Sequence, residues 1–512
     1  MQQRISFTST FTLTAAALAA LSCAGAAQAD TAVMPSFATS GAGCDSIALY
    51  DAGWAGHGDN FGQELARGND YFMSGFYQLT GAGNEVYATF GGAMAKKDRE
   101  QAKGITPGAV VVLDADTLAH KRSIALPFLP HSVALQTGDK QAVVTYTRAG
   151  AFSIVDLTNG TQRCYRPDTV AGKDTYRNRY VTAGEAGSFY VSYYSGWGEG
   201  VRSTVAKFDA DARPAKDYTP RVTTQGMALP AFFHDGRVFT GGKGTQAVNG
   251  RDGSVQTILP DSEDRSIYTY GDGPGQALLA ANYRNDGTPN LLLIDPASRR
   301  VSELMTGSGG LETAYVPQAA QAFISNFHSG TVSVAELSAD GTALAPERFA
   351  NIVLDGMPQG LYARRTDKGT ELFVTPKWGK GDVVQKITIA SSVRGIAGIA
   401  RPGACSVIRF DMADRSVSKP QPCKILDARA SYRHELELAA KTLKKLDTDR
   451  QEVQVELPAA RAALHRGQAG KTPAALKAEV ARLESELAYV ERTTAAVTQG
   501  QQRLQALVGT QR

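Results

Sequence analysis

Three tryptophans and seven histidines are the side chains of this 512-residue chain with most to offer a ligand. Each tryptophan sits in a loop next to glycine: Gly53-Trp54-Ala55-Gly56, Gly196-Trp197-Gly198 and Lys377-Trp378-Gly379. A core tryptophan normally lies within a strand, whereas one on a loop offers a flat face for stacking on a ligand or partner. Folding back as a lid is the structural alternative. No two histidines are spaced i+2, i+3 or i+4, so no local metal motif exists. The chain also lacks a Gly-x-Ser-x-Gly elbow, an HExxH run, C-x-x-C, C-x-x-C-H and a Gly-rich phosphate loop after a strand. Any catalytic site would therefore be assembled from distant loops.

Polar residues follow prolines at three related places: His131 after Pro130, Gln318 after Pro317 and Gln359 after Pro358. If these open equivalent strands, the three converge on one channel mouth. There they form either a polar ring in contact with ligand or a set of water-bonded channel groups. Two long stretches, Gly91 to Gly108 and Pro376 to Ala404, carry excess positive charge. The first has Lys96, Lys97, Arg99 and Lys103 against Asp98 and Glu100; the second has Lys377, Lys380, Lys386, Arg394 and Arg401 against Asp382. Read as loops between second and third strands, they predict a basic patch that attracts an anion. Solvated surface lysines are the bland alternative.

The elements that would position these residues repeat. Leu129-Pro130-His131-Ser132-Val133-Ala134, Val316-Pro317-Gln318-Ala319-Ala320 and Met357-Pro358-Gln359-Gly360-Leu361-Tyr362-Ala363 read as openings of one unit, each followed by a polar turn and an apolar strand. Their spacing fits a repeat of about 45 residues, the length of a four-stranded propeller blade. Inner strands are expected near Tyr77, His131, Tyr180, Met227, Tyr268, Val316 and Gly360. Third strands are expected at Val110–Asp114, Phe152–Asp156, Val205–Asp209, Leu291–Asp295, Val332–Glu336 and Val407–Asp411, each β-branched or aromatic and closing on an acid. Seven blades result, with an eight-bladed ring as the alternative. Cys44–Asp51 shares the third-strand pattern and is expected to close the ring beside the last blade, near Cys405 to Pro420.

Over roughly residues 45 to 423 this pattern resembles the YVTN or YncE-like family of bacterial periplasmic seven-bladed β-propellers, whose blades carry a proline at the first strand and a "sgtvsvid"-like third strand. The resemblance speaks to architecture more than activity, since members share a scaffold and differ in what they bind. It implies a link to iron-regulated outer-membrane uptake, with a ferric siderophore or similar chelate as ligand. Lactonase-like propellers add a hydrolase as an alternative.

Residues 1 to 29, with Arg4, an apolar run from Phe11 to Leu21 and Ala27-Gln28-Ala29, read as a signal peptide cleaved before Asp30. Ala20-Leu21-Ser22-Cys23 offers a rival lipoprotein reading. No later run is apolar for the ~20 residues of a membrane span. Cys44, Cys164, Cys405 and Cys423 then remain for an oxidising compartment. A turn at Ala413 to Arg415 would set Cys405 against Cys423 across a hairpin, leaving Cys44 for Cys164; unpaired buried thiols are the alternative. A formal net charge of +4 on an ordinary globular composition argues against nucleic acid as main partner.

After Cys423 glycine and aromatic residues thin out. Leu436, Leu443, Arg450, Leu457 and Leu464 mark one heptad series, and Leu476, Leu483, Val490, Val497 and Leu504 a second. Thr472 and Pro473 read as N-cap and first residue of the second helix, and Pro458 as a kink in the first. Arg450 and Gln501 are expected as polar seam residues. The fold expected is therefore mainly β: signal peptide 1–29, seven-bladed β-propeller 30–423 and an antiparallel α-helical coiled-coil hairpin 424–512 that projects from the disc as a separable monomeric unit.

The function these readings favour is a periplasmic, non-enzymatic binding protein. A small anionic or metal-chelate ligand would be held by His131, Trp197, Gln318, Gln359, Lys377, Trp378, Lys380, Lys96, Lys97 and Arg394. No resident cofactor or metal is expected beyond a metal arriving within the chelate. An envelope scaffold, whose hairpin docks outer-membrane or periplasmic proteins, is the alternative from another class.

Overall fold

The computed structural model describes residues 37–40, 75–91, 108–126 and 130–510, less short segments at 137, 147–149, 170–176, 196–201, 226–230, 243, 261–266, 285–286, 378, 380–381 and 468–469. Its strands form seven antiparallel sheets, the blades of a ring. Blades 1 to 7 span residues 75–126, 130–169, 177–225, 231–259, 267–304, 310–353 and 357–411. In each the innermost strand comes first and successive strands step outward. We call the face where innermost strands begin the upper face. Loops between second and third strands share it; turns after first and third strands lie on the lower face. Seven blades replace the eight-bladed alternative.

Turn chemistry explains why the third strands stop where they do. Asp114, Asp156, Asp209 and Asp295 each accept the backbone N–H two residues on, at 3.1, 2.8, 2.9 and 2.9 Å, which folds the chain into the fourth strand. In blade 4 Asn249 takes this place, accepting from Arg251 N at 2.8 Å, so a search for a closing acid passes over it. Glu336 of blade 6 departs from the pattern and pairs with Arg348 at 2.5 Å.

Two strand assignments are corrected. Val407–Asp411 belongs to the fourth strand of blade 7, Cys405–Asp411, and the third is Val383–Ala390. The same turn chemistry misleads, because Asp411 accepts Ala413 N at 3.0 Å at the end of an outer strand. Val316-Pro317-Gln318 closes the inner strand Gly310–Val316 instead of opening one. Pro317 starts a 3-10 turn, Pro317–Ala319, and its fixed φ suits a turn as well as a strand start.

Blades 1 and 7 meet to shut the ring; blade 1 has four strands, and blade 7 gains a short fifth, Gln421–Pro422, against Cys405–Asp411. Lys386 of blade 7 crosses to the carbonyls of Ala115 and Asp116 at 2.9 and 2.8 Å and pairs with Glu371 at 2.6 Å. Arg364 joins the same carboxylate at 2.6 Å and reaches Asp116 at 2.5 Å. The Cys44–Asp51 strand expected at this seam lies outside the described residues. Nearer the N-terminus, Phe37–Ser40 pairs with the outer strand Gln162–Thr169 of blade 2.

Cys405 and Cys423 form the predicted disulfide. Cys164, on that outer strand of blade 2, is also disulfide-bonded; Cys44 lies outside the described residues. Past Cys423 the propeller continues, since Lys424–Asp427 adds a fifth strand to blade 6 against Leu344–Val353. Asp427 then caps helix α1, Ala428–Arg466, accepting Ala430 N at 2.7 Å. Helix α2, Pro473–Thr510, starts at the predicted place, with Thr472 Oγ1 accepting Ala475 N at 3.2 Å. Leu446, Val490 and Val497 fill one part of the seam, and Val453, Leu457, Val480 and Leu483 another. Helix α1 runs through Pro458. Arg450 is turned to Asp447 at 2.5 Å and is exposed, which corrects its expected seam position.

The hairpin does not simply project. Its base, Tyr432, Leu436 and Leu504, joins the core of blades 5 and 6 with Leu337, Leu344 and Phe349, and Tyr432 meets Phe349 edge to face at 5.6 Å. A Cβ on Gly287 would come within 2.6 Å of Gly500 Cα, so blade 5 and α2 touch backbone to backbone there. Among the described residues no helix is long and apolar enough to cross a membrane.

Candidate functional site

Backbone bulges aim the residues of the upper mouth. Six innermost strands slip register near their start, at Phe76/Leu79, Pro130/Val133, Asn178/Val181, Ile267/Thr269, Gly310/Thr313 and Pro358/Gly360. A bulge re-aims the side chains it contains. These places hold Tyr77 and Gln78 in blade 1, His131 in blade 2, Tyr180 in blade 3, Glu312 in blade 6 and Gln359 in blade 7. Hydroxyls of second strands hold three bulges from the neighbouring blade. Thr89 donates to His131 O at 2.6 Å, Ser325 to Gln359 O at 3.4 Å and Thr375 to Tyr77 O at 2.5 Å.

The side chains so placed form one line across three seams. Lys377 Nζ, at the end of the second strand of blade 7, lies 3.4 Å from the centroid of the Tyr77 ring. Tyr77 meets His131 at 4.9 Å, and His131 meets Tyr180 edge to face at 5.2 Å. The line is buried: Lys377 is 8 % exposed and His131 0 %. His131 is thus an aromatic member of a packed line and not a group open to the mouth. Gln359 is as buried as Lys377. Deeper in the channel Gln78 Nε2 donates to Glu312 Oε1 at 2.6 Å.

Beside Lys377 stands Asp382. Burial pushes its carboxyl above the usual carboxylate range; Lys377 opposes that shift and Asp411 adds to it. A Cβ on Gly75, which has φ +96°, would come 2.7 Å from Asp382 Oδ1 and 3.3 Å from Lys377 Nζ. Glycine is therefore required for both groups to approach the start of blade 1.

Among the described residues the basic side chains of the second stretch are dispersed. Pro376 to Ala404 contains the whole strand Val383–Ala390, so its two ends lie on opposite faces. Lys377 stays on the upper face. Lys386 is spent in the seam with Glu371, and Arg394 sits on the lower face, donating to Ser391 O at 2.8 Å. Gln318, in the turn after an inner strand, is also on the lower face and exposed. Among the described residues near Lys377 acids outnumber bases, since Arg409 pairs with Asp355 at 3.4 Å and Asp411 at 3.2 Å and Asp382 is close by. Of the expected residues, the structure brings together Lys377, His131 and Gln359 at the upper mouth. Lys96, Lys97, Trp54, Trp197, Trp378 and Lys380 lie outside the described residues.

Sequence reading missed Tyr77, Gln78, Tyr180, Glu312 and Asp382 as site residues. Tyr77 and Tyr180 mark inner strands in sequence, and an aromatic residue at the His131 position of two other blades is the signal that would have joined them.

No family model matches the chain, and no curated protein matches it. Among solved structures it is similar to dihydro-heme d1 dehydrogenase NirN in complex with DHE, at 12 % identity over 69 % of each chain with a TM-score of 0.41. It is also similar to a putative 6-phosphogluconolactonase from Bacteroides uniformis, at 12 % identity over 70 % of this chain and 98 % of that one with a TM-score of 0.40. Hydrazine synthase of Kuenenia stuttgartiensis is a third, at 15 % identity over 69 % of this chain and 96 % of the other with a TM-score of 0.33.

Proposed function

We propose that this protein is a non-enzymatic binding propeller, exported to an oxidising compartment such as the periplasm, that holds a small anionic ligand or anionic metal chelate at the upper mouth. The observation that carries the reading is the Lys377 ammonium, buried and held 3.4 Å over the Tyr77 ring. A cation so placed is poorly screened, and an anion reaching it gains more than it would at an open surface. The Tyr77 ring beneath it is itself packed against His131, and His131 against Tyr180. Two of the nearby acids are already engaged by Arg409. The third, Asp382, stands beside Lys377, and burial raises its pKa against the opposing influence of that lysine. Trp378, next to Lys377 in sequence, supplies the stacking face in this reading. The disulfide Cys405–Cys423 fits export. A ferric siderophore or similar chelate is the ligand class favoured by the resemblance to YncE-like proteins.

A scaffold role has its own observation. Helices of 39 and 38 residues, roughly 55–60 Å long at 1.5 Å per residue, are fastened to blade 6 at one end and carry charged outer faces suited to a partner protein. Native mass spectrometry of the protein purified from its own cell envelope separates the two readings. A bound small molecule lost in Lys377→Met supports the binder; a stoichiometric protein partner with no small molecule replaces it with the scaffold.

A further inference from the structure

On the lower face, at the seam of blades 3 and 4, lies a cavity of about 560 Å³. It is remote from the upper mouth: Lys207 stands near the end of the third strand of blade 3, Phe233 near the end of the inner strand of blade 4, and Gly250 in the turn after its third strand. A volume of this size suits a small molecule.

Its inner wall is built around one carbonyl. Gly250 O accepts both the Tyr190 hydroxyl at 3.0 Å and Lys207 Nζ at 2.6 Å. Phe233 stacks on Tyr190 at 5.5 Å with 12° between planes, and Lys207 Nζ is 5.5 Å from the Tyr190 centroid. A Cβ on Gly250 would come 2.7 Å from the Tyr190 hydroxyl and 2.8 Å from Gly236 O, so only glycine permits this arrangement.

Lys207 is half-buried, and its ammonium carries three donors. The Gly250 carbonyl takes one; among the described residues the Lys207 ammonium has no ion pair and no second hydrogen bond. At the rim Lys216 and Arg251 are exposed and are balanced in number by Glu185 and Asp217. Depth therefore sets the electrostatic character of the cavity, because rim charges are screened by solvent while a half-buried one is screened less. Tyr190 is buried, but Phe233 is partly open and lines the cavity.

We propose that this cavity is a second ligand site, taking a small oxyanion carried on a planar ring, with Lys207 receiving the anion on its remaining N–H groups and Phe233 offering the ring a face. Charge-assisted bonds from an ammonium to a carboxylate or phosphate are among the stronger ones available. Burial lowers the pKa of Lys207 against the opposing influence of Glu185, so its neutral amine is more populated than that of an exposed lysine.

Pyridoxal 5′-phosphate, a ring with both an aldehyde and a phosphate, is a direct probe on the full-length protein. The lysine amine adds to the aldehyde and loses water to give an imine; borohydride then delivers hydride to the imine carbon, fixing a secondary amine that peptide mapping locates. Lys207 is expected to be labelled about tenfold faster than Lys216, the difference that ~1.4 kcal/mol of site binding confers. Excess phenyl phosphate is expected to slow labelling of Lys207 and leave Lys216 unchanged. Equal rates at Lys207 and Lys216, or no protection by phenyl phosphate, would overturn the site. Protection by inorganic phosphate as strong as that by phenyl phosphate would overturn the role of the ring.

Discussion

Gln78 Nε2 donates to Glu312 Oε1 at 2.6 Å, which ties blade 1 to blade 6 across the channel, past the whole of blade 7. The first blade of the chain is thereby held by a contact that pairing within any sheet cannot supply. A hydrogen bond to a charged group in a half-buried channel contributes about 1.5–3 kcal/mol. Gln78→Ala and Glu312→Ala should each lower the melting temperature, and the double variant should lose less than the sum of the two. Full additivity in that cycle would show that the bond contributes nothing.

The seam between blades 7 and 1 is more demanding. Glu371 is 0 % exposed and Lys386 3 %, so removing one partner strands a buried charge. Glu371→Ala is expected to cost roughly 3–5 kcal/mol, and Glu371→Leu with Lys386→Met much less. Denaturant melts of the two variants would test this; equal losses would mean that shape, not charge, holds the seam.

Much of the architecture was legible because turn chemistry is local. The Asp114, Asp156, Asp209 and Asp295 turns announce their strands within five residues, and the heptads of Leu443 and Leu483 announce the hairpin. Pro130 and Pro358 also mark true strand starts. Pro317 failed because a proline φ serves a 3-10 turn equally well, and the long basic segment after Pro376 failed because a strand is hidden in it. The site was less legible than the fold. Lys377 and Tyr77 stand near opposite ends of the propeller sequence and meet only because the ring closes, a relation no local pattern encodes.

Seating of the hairpin base predicts the outcome of truncation. Cutting after Cys423 removes the fifth strand of blade 6 and uncovers Phe349, Leu337 and Leu344. Burying one such side chain is worth roughly 1.5–3 kcal/mol, so the shortened protein should melt earlier and self-associate. An unshifted, monomeric transition by light scattering and calorimetry would mean that the base contacts are dispensable.

Glu435 gives the hairpin a pH dependence. It lies on α1 against blade 6, 3 % exposed, accepting Ser308 Oγ at 2.9 Å, with His434 beside it bonded to Ser329 O at 3.1 Å. Burial raises its pKa above the ordinary 4.5. Its folded form therefore prefers the proton, and the stability this group contributes is complete below pH 4.5 and lost as pH rises toward the folded pKa. Glu435→Gln should match the wild type at pH 4 and melt higher at pH 8. A gap that is the same at both pH values would contradict this assignment.

Ligand capture at Lys377 is the central claim, and calorimetric titration of ferric citrate, an anionic chelate, against wild type and Lys377→Met tests it most directly. Wild type is expected to bind, more tightly at low salt than at high salt because part of the attraction is screened. Lys377→Met, shown to be folded by circular dichroism, should weaken binding by about 1–3 kcal/mol, roughly five- to 150-fold. Binding of equal strength in both proteins would move the site away from the upper mouth, and no binding by a folded wild type would contradict the account.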